Sequence, residues 1–189
     1  MGLLNLNMQI FHHICGSCIY GADNVPHILL YFSIFCAKFL VVIIPLHIIY
    51  LSLRKCRANS YFNVIPVVFN MVISIIFAIF LSYLIAHLFY EPRPFLLEPN
   101  IALLSHRNSA SFPSDHAIFF SIYVYFLIKY NSQINYVKII LPLAIIFMIL
   151  TCWARVFTAI HYPIDIIGGI LVGIISSFFV DKLYKIRTK

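Results

Sequence analysis

Charge is scarce in this chain. Only 10% of its 189 residues are Asp, Glu, Lys or Arg, and just six are acidic, where a soluble domain carries roughly 25% charged residues. With 62% apolar residues and a mean hydropathy of +0.97, a soluble globular domain is excluded, and residues 1–189 are expected to form one integral membrane domain. The formal charge of +7 does not imply nucleic acid, because Lys and Arg flank apolar segments instead of clustering with aromatics on a water-facing surface. An evident disulfide framework is lacking too: Cys15, Cys18, Cys36, Cys56 and Cys152 are scattered and odd in number. The lone C-x-x-C of Cys15 and Cys18 lacks a second pair or histidines at metal spacing, so ordinary packing is expected of it. Repeats and low-complexity tracts are absent.

What the chain has instead is long apolar runs. A helix rising ~1.5 Å per residue needs roughly 20 apolar residues to cross a hydrocarbon core of ~30 Å. Five stretches qualify or nearly do: Ile28–Leu53, Val64–Tyr90, His116–Tyr130, Val137–Trp153 and Ile164–Val180. The last three are short, which predicts that their flanking polar residues lie below the membrane surface in a recessed site. Leu3–Tyr20 mixes Leu, Ile and Phe with Asn, Gln and His and has no basic start or small-residue cleavage site, so an interfacial helix is expected there and not a signal peptide. The expected fold is therefore all-α, a polytopic bundle of about five transmembrane helices with an N-terminal interfacial helix.

Prolines and basic residues punctuate this pattern. Pro92 and Pro94 end the second span, Pro113 precedes the third, and Pro163 suits the first turn of the fifth, where its missing N–H is not needed. Arg54, Lys55 and Arg57, then Lys129 and Lys138, then Lys182, Lys185, Arg187 and Lys189 mark one face as cytoplasmic. Tyr20, Tyr90, Tyr130, Trp153 and Tyr162 near span ends read as an interfacial belt, and Gly168, Gly169 and Gly173 as sites of close helix packing. Lys38 and His47 lie inside the first span but belong to no motif; Lys38 is placed to snorkel outward.

On the opposite face three segments should meet: "YEPRPF", "SFPSDHA" and "ARVFTAIHYPID". Arg93 and Arg155 offer planar, permanently charged donors that match phosphate oxygens. Ser114 stands at a helix start, where free N–H groups attract anions. His161 and Asp165 are four apart at the start of a helix, close enough for the carboxylate to hold one imidazole nitrogen and leave the other as a nucleophile. His116 can protonate a leaving oxygen, since imidazole titrates near working pH. No carboxylate cluster offers the oxygen ligands that Mg²⁺ wants. The expectation is phosphoryl transfer through a phosphohistidine, with no metal and no other cofactor.

These residues resemble the type 2 phosphatidic acid phosphatases, whose motifs run KxxxxxxRP, PSGH and SRxxxxxHxxxD. The matching text is "AHLFYEPRP", "PSDH" and "ARVFTAIHYPID", in the same order and with the last spacing kept. The resemblance implies His161 as nucleophile, Asp165 as its orienting partner, His116 as general acid, and Arg93, Ser114 and Arg155 as phosphate ligands. Three positions depart from the pattern: the leading lysine falls on Ala86, a serine is replaced by Ala154, and the glycine of PSGH is Asp115. His87 and Arg107 are the candidate replacements for the lysine, and Asp115 serves either the substrate or the cap of its helix.

"SFPSDHA" in a small five-span protein is similar to the bacitracin-resistance branch, which implies hydrolysis of undecaprenyl diphosphate at the outer face of a bacterial inner membrane. Phosphatidic acid, phosphatidylglycerol phosphate and lipid A are alternative substrates for the same chemistry, and transfer onto another lipid is an alternative reaction. A transporter or scaffold fits less well. Polar groups gather at one end instead of lining a path through the spans, and both histidines are kept. The expected partners are a lipid diphosphate and the bilayer, not nucleic acid.

Overall fold

The computed structural model describes residues 2–55, 64–104, 107–130 and 136–187. Cys56, Arg57 and Lys189 lie outside these residues. Among the described residues the regular elements are helices: α1 (Gly2–Ile14), α2 (Gly16–Tyr20), α3 (His27–Lys38), α4 (Ile43–Lys55), α5 (Val64–Leu88), α6 (Pro94–Leu97), α7 (Asp115–Lys129), α8 (Val137–Phe157) and α9 (Pro163–Arg187), with short 3-10 turns between some of them.

The N-terminal segment is two helices, not one. It breaks at Cys15, whose extended backbone makes it the N-cap of α2. At the next position the Phe157 ring occupies the space that any Cβ on Gly16 would need. Cys15 and Cys18 are joined by a disulfide, which corrects the expectation of ordinary packing. The cap position and the first turn of α2 set residues three apart side by side, with their Cα atoms 5.2 Å apart, inside the range a disulfide spans. Gly21, at φ +78°, then turns the chain away in a conformation that side chains rarely adopt.

The first expected span is α3 and α4 separated by a 3-10 turn at Leu40–Val42. Pro45 explains the break, since its ring opposes the carbonyl four residues back, that of Val41, and it has no N–H to offer. His27–Tyr50, Pro66–Leu88, Val137–Phe157 and Pro163–Tyr184 are long and apolar enough to cross a membrane. Of the three spans expected to be short, only α7, at 15 residues, is so. The other two, α8 and α9, run to 21 and 25 residues because they continue past Arg155 and Asp181. Arg155 is held by a hydrogen bond to His161, and Asp181 by an ion pair with Lys129 that ties the far ends of α7 and α9.

The short α7 is enclosed over most of its length, because α5, α8 and α9 pack around it, and only its last turn exposes a large apolar side chain, Ile128. Phe120 and Ile122 are fully enclosed, and Phe126 is nearly so. Apolar helices gain little hydrophobic drive from one another in lipid, so docking depends on close contact. Gly169 and Gly173 of α9 provide it: an added Cβ would lie 2.5 Å from the Ser114 carbonyl at one and 2.7 Å from the Ile118 carbonyl at the other. Lys38 ends α3 and is exposed. His47 is buried between α4 and α7, where its Nδ1 and the Tyr123 hydroxyl share a hydrogen bond of 2.7 Å. The C-termini of α5 and α8 and the N-termini of α7 and α9 share one end of the bundle.

Candidate active site

The site starts from a tight reversal after α8. Ala159, at φ +57°, turns the chain back, and the N–H groups of Ile160 and His161 both donate to the Arg155 carbonyl, at 3.1 and 3.2 Å. This sets His161 beside Arg155 and delivers the chain to Pro163, the first residue of α9. His161, Asp165, Arg155 and Arg93 are 1%, 0%, 4% and 5% exposed, so charge here is held away from bulk water and must be met by neighbours.

Asp165 is the hub. Its Oδ2 accepts from the Ser111 hydroxyl at 2.5 Å and from the Tyr162 N–H at 2.8 Å, and it lies 3.4 Å from His161 Nδ1. The other imidazole nitrogen, Nε2, receives Arg93 Nη1 at 3.2 Å and Arg155 Nη2 at 3.3 Å. Guanidinium groups donate only, so Nε2 presents its lone pair and the ring proton sits on Nδ1, facing the carboxylate. Arg93 is held in place by its remaining donors: Nε and Nη2 reach Ser109 Oγ at 3.4 and 3.1 Å, and Nη1 also reaches the Ile160 carbonyl at 3.2 Å.

Two cations on one neutral nitrogen repel each other, and an anion placed between them would relieve that. Burial works against the Arg93 charge, while Asp115 and Asp165 favour it. The same acidic surroundings act on neighbouring groups. Burial, then Asp165, holds the Glu91 carboxyl above its ordinary value. Burial, then Glu91, Asp165 and Glu98, pushes the Tyr162 hydroxyl up to about 12.

Ser114 is the N-cap of α7. Its N–H donates to the Asp165 carbonyl at 3.1 Å, which fastens the start of α7 to the start of α9. Its hydroxyl is fully buried without a hydrogen-bond partner, a donor held ready at a helix N-terminus where anions are favoured. Asp115 follows the cap and is not the cap itself; its Oδ1 accepts from Ser82 of α5 at 3.3 Å. His116, half-buried, is the second residue of α7. Of the two candidates for the missing lysine, His87 is exposed on the last turn of α5 with its ring stacked on Tyr83, and Arg107 is exposed in the loop between α6 and α7.

Ser109 and Ser111 were not singled out by sequence reasoning. The only signal was the alternation of serine in "SASFPS", and nothing in the sequence says which partners those hydroxyls meet. Tyr162 was expected in the interfacial belt and is instead 3% exposed. Its ring packs edge-on against Phe11 at 5.2 Å, because the loop that carries it folds under α1.

The sequence profile of the PAP2 superfamily matches residues 67–189. Over 175 residues, 92% of this chain and 80% of the other, the chain is 30% identical to the Escherichia coli (strain K12) protein named "Putative undecaprenyl-diphosphatase YbjG". It is 39% identical over 101 residues to undecaprenyl-diphosphatase BcrC of Bacillus subtilis (strain 168), covering 52% of this chain and 48% of that one. In fold it is similar to the crystal structure of Aquifex aeolicus LpxE, with a TM-score of 0.66 and 22% identity over 94% of this chain and 95% of that one.

Proposed function

Because this chain belongs to the PAP2 superfamily, we propose that it is a metal-independent lipid phosphatase that converts undecaprenyl diphosphate to undecaprenyl phosphate and inorganic phosphate, by way of a phosphohistidine on His161. The observation that carries this reading is the convergence of Arg93 and Arg155 on His161 Nε2. The groups that would bind phosphoryl oxygens surround the atom that would attack the phosphorus.

In the first step the Nε2 lone pair forms a bond to the terminal phosphorus as the bond to the bridging oxygen breaks. The departing lipid phosphate takes a proton from His116. Arg93 and Arg155 move from Nε2 onto the phosphoryl oxygens, and the Ser114 hydroxyl and the first N–H groups of α7 complete the cradle. The Nδ1 proton stays against Asp165, whose charge offsets the positive charge that the ring acquires. In the second step water, deprotonated by His116, attacks the phosphorus, the P–N bond breaks, and its electron pair returns to Nε2 as phosphate leaves.

The motif end of the bundle is assigned to the outer face of a bacterial inner membrane, on the strength of the Lys and Arg distribution. There the enzyme would recycle the carrier of a wall precursor. Phosphate release from undecaprenyl diphosphate, phosphatidylglycerol phosphate and phosphatidic acid by the detergent-solubilised protein, with excess EDTA, tests the proposal. Release from the isoprenoid diphosphate that resists EDTA and vanishes in His161→Ala supports it. His116→Ala should slow turnover by roughly 10²–10⁴, as loss of a general acid does. Preference for a glycerolipid keeps the chemistry and changes the substrate. Full activity in His161→Ala overturns the mechanism.

A further inference from the structure

The N-terminus of α9 carries both the partner of the nucleophile and an unsolved capping problem. The first N–H groups of a helix have no partner within it. Tyr162 is the N-cap residue of α9, and its side chain, a buried ring packed on Phe11, has no short oxygen with which to cap. Pro163 has no N–H. Asp165, three residues past the cap, reaches back to the Tyr162 N–H at 2.8 Å. That is one half of a capping box. The other half, an acceptor for an N–H one or two residues inside the helix, is missing from the local sequence.

It comes from 157 residues away. Asn7 of α1, only 7% exposed, places its side-chain Oδ1 3.1 Å from the N–H of Ile164. The helix that carries it is fixed on both sides of the site. Phe11, one turn on, packs on Tyr162, and Ser17 of α2 donates to the Ile101 carbonyl at 2.7 Å in the loop that follows Arg93. The disulfide of Cys15 and Cys18 closes the corner between the two helices.

We propose that Asn7 is a positioning residue for the phosphoryl-transfer centre: by capping Ile164 it leaves the Asp165 carboxylate to His161. This rests on the reading of His161 as nucleophile and Asp165 as its partner. Without Asn7, the Ile164 N–H is a bare donor at the positive end of α9, and the Asp165 carboxylate, which already accepts from the Tyr162 N–H at 2.8 Å, is an anion beside it. Its carboxylate already serves Ser111 and Tyr162 and lies 3.4 Å from Nδ1, longer than a well-formed hydrogen bond. A small displacement toward Ile164 releases the imidazole. The contact acts on the reacting ring through Asp165 and touches no phosphate, so it governs kcat and leaves KM alone.

The test compares Asn7→Ala, Asn7→Asp and Leu6→Ala in the full-length detergent-solubilised protein with undecaprenyl diphosphate as probe, together with amide hydrogen exchange over the Tyr162–Asp165 segment. Asn7→Ala is expected to lower kcat about tenfold with KM within twofold, and to speed exchange at Ile164. Asn7→Asp, of the same shape and keeping the acceptor oxygen, should recover most of both. Leu6→Ala, on the exposed side of α1, should change neither. Unchanged kcat in Asn7→Ala, or a tenfold loss that Asn7→Asp does not recover, overturns the proposal. Exchange is read without turnover, so it separates the two readings. If wild-type protein hydrolyses no lipid phosphate, the phosphatase reading fails while Ile164 exchange still reports whether Asn7 caps α9; unchanged exchange in Asn7→Ala overturns the cap whatever the activity.

Discussion

Replacing Asp165 by Asn isolates one quantity, the charge behind the nucleophile. All three groups that address the carboxylate meet the same oxygen: Ser111 at 2.5 Å, the Tyr162 N–H at 2.8 Å and His161 Nδ1 at 3.4 Å. An amide that puts its carbonyl oxygen there keeps every donor satisfied. The flipped amide would set N–H against N–H at Tyr162, so the peptide selects the carbonyl orientation. Shape and ring tautomer are thereby retained; the negative charge is removed, and the amide NH2 takes the place of Oδ1, a buried position with no hydrogen-bond partner. A positive imidazole developing 3.4 Å away interacts with that charge by about 5 kcal/mol at an effective dielectric of about 20. That figure is a ceiling, since the two arginines and solvent reorganisation screen part of it.

Each ~1.4 kcal/mol is tenfold in rate, so a loss of about 10³ in kcat is expected for Asp165→Asn, with little change in KM. Single-turnover phosphate release, alongside thermal unfolding of the purified protein, measures the effect and checks that the fold is intact. A folded Asp165→Asn protein that loses less than tenfold would refute the reasoning, because no charge on His161 would then be developing beside Asp165.

Three further outcomes follow from the packing and the electrostatics. Gly173→Ala drives a methyl group into Ser121 and the Ile118 carbonyl, so α9 must move off α7; a stability loss of about 1–3 kcal/mol is expected, seen as unfolding at lower temperature in detergent. Reducing the disulfide of Cys15 and Cys18, or replacing both by Ser, opens a loop of only four residues, and the entropy of so short a closure limits the destabilisation to about 2 kcal/mol; a larger drop in thermal stability would mean that the bond does more than restrict the unfolded chain. Glu91 binds its proton more tightly folded than unfolded, so stability should fall as pH rises through the interval between its ordinary value and the raised one. Glu91→Gln should flatten that part of the pH profile, and an unchanged profile would show that Glu91 is not the group responsible.

The sequence by itself determined the fold class and the family, and it named the candidate site residues. Apolar runs of membrane length, basic residues at one face and the spacing of Arg93, Ser114, Arg155, His161 and Asp165 are all local patterns. Helix periodicity and the reach of four residues along a helix fix what they can do before any tertiary contact is known. Local reading went astray where a partner lay far along the chain. It ended α8 before Arg155 and α9 before Asp181, because a charge ends a hydropathy run, although a paired charge need not end a helix. It placed Tyr162 at the interface, because nothing nearby announces that Phe11 will cover it.

Tertiary structure alone decided the second layer of the site. Ser111 belongs to Asp165, Ser109 to Arg93, and Asn7 to the N–H of Ile164. A hydroxyl or amide can bond to any complementary group, so its residue type carries no record of which one it meets. Only the docking of α1, α7 and α9, set by glycines that let backbones approach and by the reversal at Ala159, brings those donors and acceptors within reach of each other.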